Sequence, residues 1–129
     1  MKKPLFPCEL VVWRILPAIR ARLAQELAKK GMSQKDIAAQ LGITPAAVSQ
    51  YISKKRGEDF LIDNKLNNEI QTIVQGISND NSTMRFMLES CSLCKKIRTR
   101  GLACKEHEKY AEVPSGCEMC FTGEGCSEC

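Results

Sequence analysis

The sequence predicts an all-α fold, in which a bundle of short helices is followed by a small, irregular, cysteine-rich module. From Val11 to Arg100, apolar residues recur at the three- and four-residue spacing of helices, and no long stretch shows the alternation of a β-strand. Glycines follow several of these stretches, as they commonly do at helix ends. Seven of the eight cysteines lie between Cys91 and Cys129, where few large apolar residues remain to build a core.

The first predicted helix runs from Val11 to Lys30. Pro17 is expected either to kink this helix or to begin a second one, because proline lacks a backbone N–H. Gly31 is expected to end it. One apolar stripe of the helix faces the core and comprises Ile15, Ile19, Leu23 and Leu27, with Val12, Leu16 and Ala24 beside them.

The next two predicted helices are short and are separated by Gly42. Ser33 is the expected N-cap of the first of them. Thr44 is the expected N-cap of the second, with Pro45 at its first position, and this helix is expected to extend to Lys55. The residues that hold the pair together and against the first helix are Ile37, Ala38, Leu41, Ile43, Val48 and Ile52.

Two further helices are predicted after a linker at Glu58–Asp63. The apolar positions of the first are Ile62, Leu66, Ile70, Ile73, Val74 and Ile77. This helix and the N-terminal helix are the candidate dimer surfaces. The second runs from Ser82 to Arg100 and ends at Gly101. Its neighbouring faces carry Met84, Met87, Leu88, Cys91 and Cys94.

The exposed side of the helix after Thr44 has residues suited to the major groove of double-stranded DNA. That side is predicted to present Thr44, Ala46, Ala47, Ser49, Gln50 and Ser53. Small residues let a helix lie deep in the groove, and Gln50 is able to form paired hydrogen bonds with adenine. Tyr51 is expected to pack rather than to support a phosphate contact. The predicted DNA-binding residues are Ser33, Gln34, Thr44, Pro45, Ala46, Ser49, Gln50, Ser53, Lys54, Lys55 and Arg56, the first two and the last three at phosphates.

The segment from Gln34 to Ser53 resembles the helix-turn-helix of phage-repressor (Xre, Cro-like) regulators. The longer stretch from Pro7 to Gly57 is similar to archaeal regulators of that superfamily that also carry a cysteine-rich C-terminus. The resemblance implies a repressor-like helix-turn-helix bundle that binds operator DNA, usually as a homodimer. A helical hairpin used only for packing or protein contact is the alternative, but the small exposed face and the basic run together favour DNA.

Charge divides the chain unevenly. Residues 1–57 hold 11 Lys/Arg and 3 Asp/Glu, for a net charge of +8, whereas residues 58–129 hold 8 and 12, for −4. A basic half is expected of a polyanion-binding domain, although an uneven solvated surface explains the charge equally well. We divide the chain into a DNA-binding domain at residues 1–58, an amphipathic helix with linker at 59–81, and a cysteine-rich region at 82–129.

The potential metal ligands after residue 90 fall into pairs with a two-residue gap. The four pairs are Cys91 and Cys94, Cys104 and His107, Cys117 and Cys120, and Cys126 and Cys129. This spacing lets two side chains reach one ion, and eight ligands suffice for two tetrahedral zinc sites. Thiolates at this spacing also hold iron–sulfur clusters. The metal is undecided, and the missing glycine of a zinc knuckle slightly favours an iron–sulfur cluster for Cys91, Cys94 and Cys104.

Several roles in this region stay open on sequence alone. His107 is either a ligand or a surface imidazole on a short charged helix. Cys8 is either a small buried apolar residue or an additional ligand, if the N-terminal helix packs against the tail. The last four cysteines form a metal site or, in an oxidising setting, disulfides. The basic residues near the first pair either lower the thiol pKa values, touch DNA or are simply exposed; they are Lys95, Lys96, Arg98 and Arg100.

Other classes of protein are disfavoured. No apolar run approaches the roughly 20 residues of a membrane span, and Glu9 and Arg14 interrupt the stretch that would form a signal peptide, so a cytoplasmic location is expected. A phosphate loop and a nucleophile–base pair are missing from the sequence, so we do not expect an enzyme. The prediction is a transcriptional regulator whose metal module braces the fold or senses redox state or metal supply. The alternative is a metal-stapled RNA-binding or protein-adaptor domain.

Overall fold

The computed structural model describes residues 5–55, 66–79 and 83–112. Over these ranges the chain forms helices and turns and contains no strand, which confirms the all-α prediction. None of the helices there is long and apolar enough to cross a membrane. The elements in chain order are α1 (Pro7–Leu10), a π-helix (Val11–Ile15), α2 (Leu16–Lys29), α3 (Gln34–Leu41), α4 (Pro45–Ile52), α5 (Asn67–Asn79), α6 (Thr83–Thr99) and α7 (Cys104–Tyr110).

The N-terminal helical segment changes its hydrogen-bond pattern before Pro17. The N–H of Leu16 donates to the carbonyl of Val11, which is the five-residue step of a π-helix. Pro17 lies in the first turn of α2, directly after the π-helix, and the residues before it, Ile15 and Leu16, also have helical backbone conformations. Pro17 was expected either to kink a continuous helix or to begin a second one, and it lies within one continuous helical segment, just after the change from π-helix to α-helix. The helical segment itself begins at Pro7, earlier than the predicted Val11.

Helix α2 lies at the centre of the core and packs against α3, α4 and α5. Its predicted apolar stripe is buried, since Ile15, Ile19, Leu23 and Leu27 are at most 1% exposed. Val12 was wrongly placed in that stripe, because it is 66% exposed. A π turn holds more residues than an α turn, so the faces before Ile15 are rotated relative to the period that holds in α2.

Helices α5 and α6 complete the same core. The predicted apolar positions from Leu66 to Ile77 are buried, and α5 packs against α2 and α6. Ile62 and the predicted linker lie outside the described residues. Helix α6 follows the predicted bounds closely and buries Leu93, Cys94 and Ile97. Its first half leaves three large apolar side chains more than half exposed: Met84, Met87 and Leu88.

Helix α7 packs against the N-terminal helical segment, so the two ends of the described chain meet. Arg14 Nη2 lies 3.1 Å from Glu106 Oε1 in a largely buried ion pair. The ring of Trp13 meets the ring of Tyr110 edge-on, with 4.8 Å between their centroids. The Arg14 guanidinium lies 5.0 Å from the centroid of each ring. We call these four side chains the terminal latch. Residues 104–110 form the short charged helix that the sequence offered as one of two alternatives for the surroundings of His107.

Candidate nucleic-acid interface

Helices α3 and α4 form a helix-turn-helix whose caps are the predicted ones. Ser33 Oγ accepts a hydrogen bond from the N–H of Asp36 at 3.2 Å. Thr44 Oγ1 accepts one from the N–H of Ala47 at 3.1 Å. Gly42, in the turn, has a φ of 68°, a left-handed conformation that a β-carbon disfavours. Three local signals in the sequence thus fix the length and direction of both helices.

Helix α4 is held on the core by its apolar side. Val48 and Tyr51 are 0% and 1% exposed, and α4 packs mainly against α2 and α3. The prediction that Tyr51 packs is confirmed. Gln25 of α2 adds a polar contact that the sequence reasoning missed, because its Nε2 donates to the backbone carbonyl of Tyr51 at 3.0 Å. The available signal was a long amide side chain beside the apolar stripe of α2.

The other side of α4 is open to solvent. Ala47 was predicted on this side but is only 7% exposed, because it lies one helical turn before Tyr51 and shares its buried face. Arg56 lies outside the described residues. The remaining predicted contact residues are exposed: Ser33, Gln34, Thr44, Pro45, Ala46, Ser49, Gln50, Ser53, Lys54 and Lys55. Lys35 of α3 is exposed next to Gln34 and had not been predicted, although its place in the first turn of α3 was the available signal.

Helix α4 ends at Ile52, three residues before the predicted Lys55. Lys54 has a φ of 62°, which turns the chain out of the helix. The N–H of Lys54 donates to the carbonyl of Tyr51 at 3.2 Å, and the N–H of Lys55 donates to the carbonyl of Gln50 at 2.9 Å. This pair of bonds is a Schellman turn. It places two exposed lysines directly after α4.

Glu26 of α2, the helix against which α4 packs, connects α2 to α5. Gln71 Nε2 of α5 donates to Glu26 Oε2 at 3.0 Å, and Lys29 Nζ lies 3.4 Å from Glu26 Oε1. Burial raises the pKa of Glu26, but the Gln71 hydrogen bond and the charges of Lys29 and Arg22 outweigh it, so the pKa is lowered overall. The carboxylate therefore stays ionised and fixes α2, against which α4 packs.

The cysteines of α6 and α7 differ in environment. Cys91 is exposed, Cys94 is buried and Cys104 is intermediate. Burial and the neighbouring Cys91 raise the pKa of Cys94, Arg98 and Arg20 lower it without compensating, and the net result is a pKa raised to about 11. Of the basic residues near the first cysteine pair, Arg98 does lower the pKa of Cys94, but this effect is smaller than that of burial.

The predicted metal ligands are not gathered into a site within the described ranges, where no three His, Cys, Asp or Glu residues form a group able to hold an ion. Cys117, Cys120, Cys126 and Cys129 lie outside those ranges, as does the side chain of Cys8. His107 is half-buried, and its Nε2 lies 2.6 Å from the backbone carbonyl of Leu5. Because a carbonyl only accepts, Nε2 is the donor in this contact.

Comparison with protein-family models matches residues 23–57 to the family described as Helix-turn-helix. The match runs from within α2 through α3, the Gly42 turn and α4 to the residues just after it. Neither the curated proteins nor the solved structures gave a match. The matched family is one of DNA-binding transcription regulators, and the matched residues coincide with the unit that exposes one side of α4. Residues 23–57 are therefore a helix-turn-helix of the Xre/Cro-like type, a type that binds DNA.

Proposed function

We propose that the chain is a cytoplasmic, sequence-specific transcriptional regulator that reads base edges with the exposed side of α4. The observation that supports this most directly is the division of α4 into two sides. Val48 and Tyr51 are buried against α2 and α3, whereas Ala46, Ser49 and Gln50 are exposed. Apart from Gln50, the exposed side chains of α4 are small, so the helix backbone is able to approach the floor of the major groove.

The chemistry of the exposed residues fits base readout. Gln50 offers one donor and one acceptor, the pattern that matches the major-groove edge of adenine. The methyl group of Ala46 is suited to a thymine methyl, and Ser49 either donates to or accepts from a base. Ser33 and Gln34, at the N-terminus of α3, offer hydrogen bonds to a phosphate, where the helix dipole favours negative charge.

The test is selection of duplexes from a random-sequence pool by the purified full chain. We expect one preferred sequence, and we expect Gln50→Ala to relax the preference at one base pair by about 1–3 kcal/mol. Ser92→Ala is the control, because Ser92 is an exposed polar residue on α6, outside α4 and outside the candidate dimer surfaces. A wild-type protein that selects no sequence would contradict the proposal. Equal relaxation by both variants would contradict the role of Gln50.

We expect the regulator to bind as a homodimer. A two-fold dimer presents two recognition helices to half-sites about 34–36 Å apart along the duplex. The apolar side of α5 is buried within the chain itself, so a dimer surface on α5 would use its remaining side, together with the N-terminal helices. Sedimentation of the free protein and a two-fold symmetric footprint on the selected duplex test this expectation.

The cysteine-rich region is proposed to bind zinc or an iron–sulfur cluster. The proposal is supported by the paired spacing of the ligands and by His107, since a metal-bound histidine commonly donates its second ring N–H to a backbone carbonyl. A bound metal would supply the cross-links that a region poor in large apolar residues needs in order to fold. Anaerobic purification with an absorption spectrum and elemental analysis distinguishes the two metals. A colourless protein with stoichiometric zinc excludes the cluster, and a protein with neither metal excludes both.

An adaptor that binds a protein or RNA is the second candidate. The observation in its favour is the exposed apolar group on α6, formed by Met84, Met87 and Leu88. Surfaces of this kind often mark a protein contact. The duplex selection separates the two candidates, because an adaptor would be indifferent to Gln50→Ala and would select no duplex.

A further inference from the structure

The backbone at Lys54 is unusual for its residue type. Lys54 is the one non-glycine residue with a positive φ, 62°, within the ranges that the structure describes. A β-carbon in this left-handed conformation lies too close to the following carbonyl oxygen, so lysine occupies it at a cost in stability that glycine would not incur.

Three other helices of the chain end in the same way but with glycine at this position. After α2 and α6, the same two hydrogen bonds form as at Lys54, one from the left-handed residue to the carbonyl three residues back and one from the next residue to the carbonyl five residues back. After α3, the second of these bonds is present. The left-handed residues there are Gly31, Gly42 and Gly101.

Among these four helix ends, that of α4 has lysine where the other three have glycine. Helix α4 is the recognition helix of the proposed function, and Lys54 is exposed directly beyond its last turn. Lys55 is exposed beside it, so the turn presents two positive charges next to the helix side that bears Gln50. A strained, exposed cation at the edge of a DNA-reading helix suits a backbone phosphate, the main source of affinity for DNA.

We propose that the left-handed backbone of Lys54 is a cost in folding stability, retained for the phosphate contact that the sequence predicts for this residue. The inference rests on the proposed function and deepens it. A second explanation for a lysine at this position is purely structural, because a lysine near a helix C-terminus interacts favourably with the helix dipole and the last carbonyls. The two explanations predict opposite effects on the stability of the free protein.

Two substitutions at one position separate strain from charge. Lys54→Ala removes the charge and keeps the strain, whereas Lys54→Gly removes both. We expect the glycine variant to melt about 2–5 °C above the alanine variant and above wild type, because the relief of strain exceeds the added freedom of the unfolded chain. A glycine variant that melts at or below the temperature of wild type would overturn the inference in favour of the dipole explanation.

Binding is measured on the duplex selected by the wild-type chain and on an unrelated duplex. Both variants should bind each duplex about threefold to tenfold more weakly, with the slope of log affinity against log salt reduced by about one. Lys54→Arg should restore binding. Lys105→Ala, at an exposed lysine of α7, is the control for net charge and should bind like wild type.

The outcomes distinguish this inference from the proposed function. If the wild-type chain selects a duplex but Lys54→Ala keeps its affinity and salt slope, the phosphate contact is wrong and the regulator stands. If Lys105→Ala weakens binding equally, the effect is one of net charge and the contact is again wrong. If the wild-type chain binds no duplex, the regulator and the contact fail together.

Discussion

Two adjacent alanines of α4 lie in opposite environments. Ala46 is exposed on the side proposed to face DNA, whereas Ala47 is 7% exposed against the core. Helical period places Ala47 on the face of Tyr51, and the sequence left Tyr51 between packing and the support of a phosphate contact. The contacts of α4 with α2 and α3 decide it.

We expect Ala47→Leu to lower the free energy of unfolding by about 1–3 kcal/mol, because the larger side chain has no room between α4 and its neighbours. Ala46→Leu adds the same atoms to the adjacent position and should change it by no more than about 0.5 kcal/mol. Urea unfolding of both variants measures the difference. Equal losses of stability would show that the two alanines share one environment.

At the level of elements, α7 is held to the N-terminal helices by contacts between residues far apart in sequence. Arg14 and Glu106 are separated by 92 positions, and their ion pair is accompanied by the Trp13–Tyr110 ring contact. The π-helix that bears Trp13 and Arg14 continues directly into α2, against which α4 packs. A displacement of α7 would therefore be transmitted to the recognition helix α4 through the π-helix and α2, which pack in sequence between them.

The Arg14–Glu106 ion pair of the terminal latch should be lost at acidic pH. Burial raises the pKa of Glu106, but hydrogen bonds and charge from Lys109 and Arg14 outweigh it, so the pKa lies below the ordinary 4.5. A lowered folded-state pKa stabilises the fold above the unfolded value, and this contribution is lost as the pH falls through the folded value. We expect the fluorescence of Trp13, the single tryptophan, to change in that range below pH 4.5.

Glu106→Gln should remove this change in fluorescence, since the amide does not titrate. Glu26→Gln is the control, because Glu26 also has a lowered pKa but lies in the contact between α2 and α5. A fluorescence change that persists in Glu106→Gln and disappears in Glu26→Gln would assign the acid transition to the α2–α5 contact instead.

At the level of the whole molecule, the features that could be predicted from the sequence are those that depend on interactions between residues close together in the chain. Ser33, Gly42 and Thr44 act within a few residues of themselves, so the helix-turn-helix could be located before any fold was known. The terminal latch could not, because no periodicity relates Arg14 to Glu106. The π-helix also left no signal except Pro17, and the burial of Cys94 depends on how α6 packs against the core.

The same long-range contact bears on the role of the metal that is proposed for the cysteine region. Helix α7 carries Cys104 and His107 and is docked on the N-terminal helices through Arg14 and Leu5. If a metal braces the tail, removing it with a chelator should lower the melting temperature, because metal binding that requires the folded state stabilises that state. The affinity for the selected duplex, measured below that temperature, should then stay the same.

A sensing role predicts a different result for the same pair of measurements. Loss of metal would release α7 from the N-terminal helices and alter the support of α4, so the affinity for the selected duplex would change along with the stability. We expect bracing, because the ion pair and the ring contact that hold α7 are formed by Arg14, Trp13, Glu106 and Tyr110, none of which is a proposed ligand, while the His107–Leu5 contact alone among those described for α7 involves one. A gel-shift in which metal-free protein binds the duplex differently from metal-loaded protein, at a temperature where both are folded, would show that the metal regulates binding.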